Sequence, residues 1–242
     1  MEILATKIFL SKRQQRFDDG IYQKGFQIMS ETLVREQICR MAKSLFDRGL
    51  TGGASGNISV RLDDGSLLVT PTGRSFGALD PTQLSHLGAD GIHLSGLSPT
   101  KEMPLHAAFY ETRARTKAVV HLHSSHSVAL SMLPVEDADN FLPPLTAYSV
   151  MRCGKVTLLP YFRPGDPAVG GALRGLAGKR SSVMLANHGP VVAGADLEAA
   201  IFAIEELEET AKLALMMRGM QPKILTEAQI ADLVHHFSLE WD

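Results

Sequence analysis

The sequence predicts a layered α/β or α+β fold built on a largely antiparallel sheet. Three observations lead there. Apolar stripes of helical period are mixed along the chain with short β-branched runs, tight-turn signals join neighbouring strands into hairpins, and strict strand–helix–strand repetition is lacking.

The first helix spans Glu31 to Arg48, where Leu33, Val34, Ile38, Met41, Ala42, Leu45 and Phe46 form one stripe, with Ser30 or Thr32 as cap and Gly49 as stop. Ile58 to Val60 and Leu67 to Thr70 read as two strands around the hairpin signal Asp63-Asp64-Gly65. A second helix from about Lys101 to Thr112 has Thr100 as its cap, and it leads into a strand from Ala118 to His123 and a helical segment from Ser125 to Leu133. Lys155 to Pro160, Ser182 to Ala186 and Val191 to Val192 follow as strands. A long helix from Leu197 to about Arg218 closes the core with Leu197, Ala200, Ile201, Ile204, Leu207, Ala211 and Ala214 on one face.

A chain of 242 residues could hold one large domain or two small ones, and the absence of a linker-like stretch favours one, over residues 29–242. Residues 1–28 are polar, mixed in charge and without period. They read as an N-terminal extension or as an arm that packs on a neighbouring subunit, with Met29 opening the functional domain. A hydrophobic content of 45% and a charged content of 21% suit a folded domain with a sizeable core. The net charge of -2 leaves no footprint for nucleic acid, so the expected partner is a small molecule. Cys39 and Cys153 make neither a CxxC pair nor a disulfide framework, which fits the cytoplasm. No run of about 18 apolar residues exists, and Ile3 to Leu10 is broken by Thr6 and Lys7, so neither a membrane span nor a signal peptide is expected.

Chemistry enters at Val119-Val-His-Leu-His123. On a strand, His121 and His123 leave the same face roughly 7 Å apart. Ala186-Asn-His-Gly189 adds His188 at a strand end, and three imidazoles leave a divalent ion an open position for substrate oxygens. Glu102, at the start of the helix before the His-x-His strand, is the fourth candidate, as ligand or general base; a first-turn Glu favoured by the helix dipole is the plainer reading. His106, one turn on and on the same helix face, reads as a core histidine or as one that supports the ligands from behind. His86, His93, His126, His235 and His236 read as structural or solvated. Ser55-Gly56-Asn57, Thr70-Pro-Thr72-Gly73 and Pro99-Thr100-Lys101 each pair hydroxyl residues with backbone amides freed by glycine or a helix start, a chemistry suited to phosphate.

Taken in order, Ser-Gly-Asn, Pro-Thr-Gly, Lys-Glu, His-x-His and Asn-His-Gly resemble the class II aldolase and adducin family over about Leu33 to Arg218. The resemblance implies a three-layer α/β/α fold whose central, mostly antiparallel sheet is flanked by helices. It implies zinc, with manganese or cobalt as alternatives, on His121, His123 and His188, and Glu102 as ligand and acid/base. Asn57, Thr72, Gly73 and Thr100, with Ser55 and Gly56 in the same loop, would bind phosphate. Tyr148 matches a tyrosine that reaches the site from a neighbouring subunit of a cyclic homotetramer.

The strings Ser98-Pro-Thr-Lys-Glu-Met-Pro-Leu-His106, Tyr161-Phe-Arg-Pro-Gly-Asp166, Leu185-Ala-Asn-His-Gly-Pro-Val-Val192 and Glu205-Glu-Leu-Glu-Glu-Thr-Ala-Lys212 are similar to the branch that decarboxylates 3-oxo-tetronate 4-phosphates. Two departures from the aldolases agree with it: Lys101 stands where they carry a small hydroxyl residue, and no tyrosine follows Tyr161. This branch implies a phosphorylated four-carbon sugar acid as substrate, dihydroxyacetone phosphate and carbon dioxide as products, and a metal-stabilised enediolate between them, with Glu102, Lys101 and Tyr148 as catalytic residues. A sugar-phosphate aldolase or epimerase, a non-catalytic adducin-like scaffold and an aromatic-acid decarboxylase are the rival readings.

Overall fold

The computed structural model of the chain describes residues 31–241, so the proposed extension 1–28, the domain start at Met29 and the Ser30 cap lie outside the described residues. The first helix, α1, covers residues 31–47. It buries Ile38, Ala42 and Leu45 completely, and ends where Gly49 takes φ 76° and Leu50 N–H returns to Leu45 O.

Eight strands form one sheet: β1 Asn57–Arg61, β2 Leu67–Val69, β3 Ser85–Leu87, β4 His93–Ser95, β5 Ala118–His121, β6 Val156–Leu159, β7 Ser182–Leu185 and β8 Gly189–Gly194. Their order is β4-β3-β2-β1-β5-β8-β7-β6. Every pair is antiparallel except β6 with β7. That parallel pair needs a crossover, and α5, Ala168–Gly175, supplies it. The remaining helices are α2 Met103–Thr112, α3 Ser125–Ser131, α4 Ala147–Cys153, α6 Leu197–Met216 and α7 Glu227–Phe237.

The sheet is covered on both faces, and strand alternation decides what each face buries. Val119, Val183, Leu185, Val191 and Ala193 pack with Leu105 and Phe109 of α2 and Val169 and Leu173 of α5. Ile58, Val60, Val120, Met184 and Val192 pack with α1 and with the Leu197, Ala200, Ile201, Ile204, Leu207 and Ala211 stripe of α6. The three-layer α/β/α arrangement is therefore as expected. Among the described residues no helix is long and apolar enough to cross a membrane.

Several elements differ from expectation. β3, β4, α4, α5 and α7 were not foreseen. The first two are three residues long, too short for a period to register. The strand expected over Val191 to Val192 is β8, twice extended by Gly-Pro on one side and Ala-Gly on the other. The second helix begins at Met103 rather than Lys101. Thr100 does not cap it from the N-cap position, although its Oγ1 accepts from Glu102 N–H at 3.3 Å. The strand expected to reach His123 ends at His121.

The β7–β8 hairpin explains the spacing Asn-His-Gly. His188 N–H bonds Leu185 O at 3.1 Å, and Asn187 takes φ 56°, a left-handed conformation that Asn tolerates better than most residues. A Cβ on Gly189 would lie 2.0 Å from Leu122 O, so only glycine lets β8 approach β5 beside His123. Gly189→Ala is expected to destabilise the protein by about 1–3 kcal/mol in denaturant unfolding, the usual cost of forced overpacking. An unchanged unfolding midpoint would show that the hairpin is not under this constraint.

Candidate metal centre

β5 delivers His121 to the face covered by α2, because Ala118 and Val120 point to the opposite core and Val119 and His121 do not. The strand then stops, and His123 follows in the loop into α3. Leaving the strand brings the imidazoles closer than a flat strand would, with ring centroids of His121 and His123 4.9 Å apart. His188 comes from the β7–β8 turn, 4.9 Å and 4.8 Å from the same two rings. Glu102, just before α2, places Oε2 3.4 Å from His121 Nε2 and Oε1 3.3 Å from His188 Nε2. One potential ligand atom from each of Glu102, His121, His123 and His188 lies within 4.8 Å of the others.

Two local devices hold the ligands. His121 Nδ1–H donates to Pro190 O at 2.8 Å, which assigns the ring proton to Nδ1 and leaves the Nε2 lone pair facing the cluster. On the other helical layer, buried Glu208 accepts from His126 N–H and Ser127 N–H at 2.9 and 2.8 Å, anchoring the start of α3 just after His123. Hydrogen bonds from Ser127 and His126 outweigh burial and hold the Glu208 carboxyl below its ordinary range. His126 Nδ1 also meets this carboxylate at 2.8 Å, which makes it structural, as expected.

These donors fit a divalent cation. Burial and the neighbouring imidazoles push His121 well below the ordinary histidine value, and burial lowers His123 and His188 as well, so the three rings favour the neutral form at pH 7. Among the described residues neither ring nitrogen of His188, both of them buried, has a hydrogen-bond partner. Unpaired buried nitrogens beside two further lone pairs and a carboxylate are the donor set of an ion site.

A cleft of about 570 Å³ opens on the cluster, lined among others by His123, Met132, Tyr161, Asn187 and His188. Thr72 N–H bonds Ser98 O at 3.0 Å and Pro71 bridges Pro99, so the Pro-Thr-Gly and Thr100-Lys101 loops lie together. Thr72, Gly73 and Lys101 are exposed there, and Thr100 is buried. Gly165, at φ 79°, packs on Lys101 and brings the Tyr161–Asp166 loop against it. Gly56 faces His121 O, where a Cβ would sit 3.0 Å away. Ser55 Oγ–H donates to Gly52 O at 2.6 Å.

Asn57, expected among the phosphate binders, also touches the cluster. Alternation along β1 turns its side chain toward α2, where Nδ2 donates to Glu102 Oε2 at 2.7 Å and Oδ1 faces His106. Tyr148 does not join the cluster. It stands 59% exposed on α4, which packs against α6 and α7. His86 meets Ser66 Oγ at 3.0 Å, His93 meets Ser95 O, and His235 and His236 close α7.

The chain matches the model of the Class II Aldolase and Adducin N-terminal domain over residues 36–215. It is 49% identical over 203 residues to the 3-oxo-tetronate 4-phosphate decarboxylase of Escherichia coli K12, covering 84% of this chain and 96% of that one. Identity to the L-fuculose phosphate aldolase of Haemophilus influenzae is 27%, over 86% of this chain and 95% of that one. The crystal structure of YgbL from Escherichia coli, described as an aldolase, epimerase or decarboxylase, superposes with a TM-score of 0.82 at 48% identity, covering 84% of this chain and 99% of that one.

The neutral histidines set a pH dependence. Above about pH 6.5 they are uncharged in both folded and unfolded chains. Below it the unfolded chain takes up protons first, since the folded values are depressed, to about 3 for His106 under the weight of burial. The metal-free protein is therefore expected to lose stability as pH falls from 7 to 5, by up to about 1.4 kcal/mol per pH unit for each fully buried histidine. Chemical denaturation in the presence of a chelator checks this, and stability that holds constant or rises toward pH 5 would contradict it.

Proposed function

The chain belongs to the class II aldolase and adducin family, and on that premise we propose that it is a metal-dependent carboxy-lyase that converts a 3-oxo-tetronate 4-phosphate into dihydroxyacetone phosphate and carbon dioxide. The observation that carries this reading is the complete Glu102, His121, His123 and His188 set in a chain whose similarity to the decarboxylases far exceeds its similarity to the aldolases.

His121, His123 and His188 would hold the ion, and zinc would suit three neutral imidazoles with a carboxylate beside them. When bound, a divalent ion supplies positive charge for the oxygens of the enediolate. The bond that breaks joins the carboxyl carbon to the hydroxyl-bearing carbon. Its electron pair passes to the neighbouring ketone, carbon dioxide leaves, and the hydroxyl-bearing carbon then takes a proton.

Glu102, which takes up a proton from solvent, delivers it to that carbon. Its Oε2 accepts from Asn57, which leaves Oε1 as the oxygen that carries it. Thr72, Gly73 and Thr100, with Ser55 and Gly56 in the neighbouring loop, form the anion-binding rim for the phosphate. Lys101, exposed beside Glu102 and packed under the Gly165 loop, orients the departing carboxylate.

Tyr148 is exposed on the outer helical layer, a placement suited to serving the site of a neighbouring copy, and we read the protein as a homotetramer with its sites at subunit interfaces. Both described cysteines are free thiols, which accords with a cytoplasmic location.

Incubating metal-loaded protein with a 3-oxo-tetronate 4-phosphate should release carbon dioxide and dihydroxyacetone phosphate one for one. Glu102→Gln is expected to slow this by roughly 10²–10⁴-fold, the usual weight of a general acid. Cleavage of a ketose 1-phosphate to an aldehyde, with no carbon dioxide from the oxo acid, would move the protein to the aldolases.

A further inference from the structure

Glu102, His106 and Tyr110 recur every four residues at the start and along α2, and Asn57, Ser59 and Arg61 recur every two on β1, so helix and strand meet as a ladder. Each rung is made. Asn57 Nδ2 donates to Glu102 Oε2 at 2.7 Å, and Asn57 Oδ1 meets His106 Nε2 at 2.5 Å. His106 Nδ1 meets Ser59 Oγ at 2.7 Å, Ser59 Oγ meets Tyr110 OH at 2.8 Å, and the Arg61 guanidinium lies 4.9 Å from the Tyr110 ring centroid. His106 and Ser59 are completely buried and Asn57 nearly so.

The chemistry of these groups gives every proton one direction. A carboxylate oxygen accepts, so Asn57 turns its NH₂ to Glu102 and its oxygen away. That oxygen also accepts, so His106 Nε2 must carry the ring proton. Nδ1 is then an acceptor, the Ser59 hydroxyl must donate to it, and a Ser59 lone pair is free to receive Tyr110 O–H. Burial keeps the ring neutral, as this tautomer requires.

We infer that His106 is a positioning residue, which through Asn57 fixes where Glu102 presents its carboxylate to the ion and the substrate, and whose own tautomer is set by Ser59 and Tyr110. The ladder stands on geometry alone; its consequence for turnover rests on the reading of Glu102 as the proton carrier.

Two substitutions separate this role from simple packing. His106→Gln sets an amide N–H near the position of Nε2 and keeps the donor to Asn57. His106→Asn reaches only the position of Nδ1 and loses it. In chelator competition, zinc is expected to bind His106→Asn about 10–100-fold more weakly than wild type, and His106→Gln within about threefold of it. At saturating zinc, His106→Asn should lower kcat for carbon dioxide release at least about tenfold with little change in KM, and His106→Gln should restore it.

Nitrogen NMR of the metal-free wild type should show His106 as the Nε2–H tautomer, with a mixture of tautomers in Ser59→Ala. That measurement stands even if His106→Asn fails to fold. Equal zinc affinities for the two His106 variants, or an Nδ1–H ring in the wild type, would overturn the inference. A wild type that binds zinc with the expected split between variants but releases no carbon dioxide would instead overturn the functional reading and leave the positioning role intact.

Discussion

The pairing of β5 with β1 on one side and β8 on the other is the constraint from which the site follows. The register sets Asn57 opposite His121 and His121 opposite Val191, so one row across the sheet carries a candidate ligand and the residue that holds its partner carboxylate. A slip of one residue would turn His121 into the apolar layer under α6 and bring Val120 to the α2 face. Pro190 O, next to that row, takes the His121 Nδ1 proton, and Gly189 lets the strands approach closely enough for it to do so. The site is therefore built on rigid sheet, with only His123 and His188 supplied by short turns anchored to it.

Two carboxylates, Glu208 buried and Glu102 partly so, show how the same fold can either satisfy a group or hold it ready. Glu208 is fully enclosed by donors from the first turn of α3 and is spent on structure. Glu102 receives one donor, from Asn57, and otherwise faces imidazoles whose nitrogens have their lone pairs to offer. Leaving buried polar atoms unpaired costs on the order of 1–3 kcal/mol each, so the cluster is a place where the fold gives up stability and a bound cation restores it. The unpartnered nitrogens of His188 are the plainest sign of this.

Much of this was legible in the sequence, for reasons particular to each element. The long stripe of α6 and the His-x-His run in a β-branched segment are strong periodic signals, and they placed α6 and β5, although β5 ends at His121 and leaves His123 in the following loop. β3 and β4 were hidden because three residues carry no period, and α7 was passed over although Thr226-Glu-Ala-Gln229 is a capping box that the structure forms. The ladder under Glu102 was half visible. Asn57, Ser59 and Arg61 alternate, and Glu102, His106 and Tyr110 repeat at helical spacing, but nothing local says that this strand face meets that helix face. For that reason Asn57 reads as a phosphate binder from its loop and is found on Glu102, while for His106 the sequence leaves core packing and support of the ligands both open, and the structure hydrogen-bonds both its ring nitrogens.

β5 and the β7–β8 turn bring three imidazoles together where one divalent ion would bind. X-ray absorption at the zinc edge of the loaded wild-type protein tests this most directly. The account predicts one zinc per chain with three imidazole nitrogens at about 2.0–2.1 Å and oxygen filling the remaining positions. A shell with two or fewer imidazoles, or with sulfur at about 2.3 Å, would contradict it.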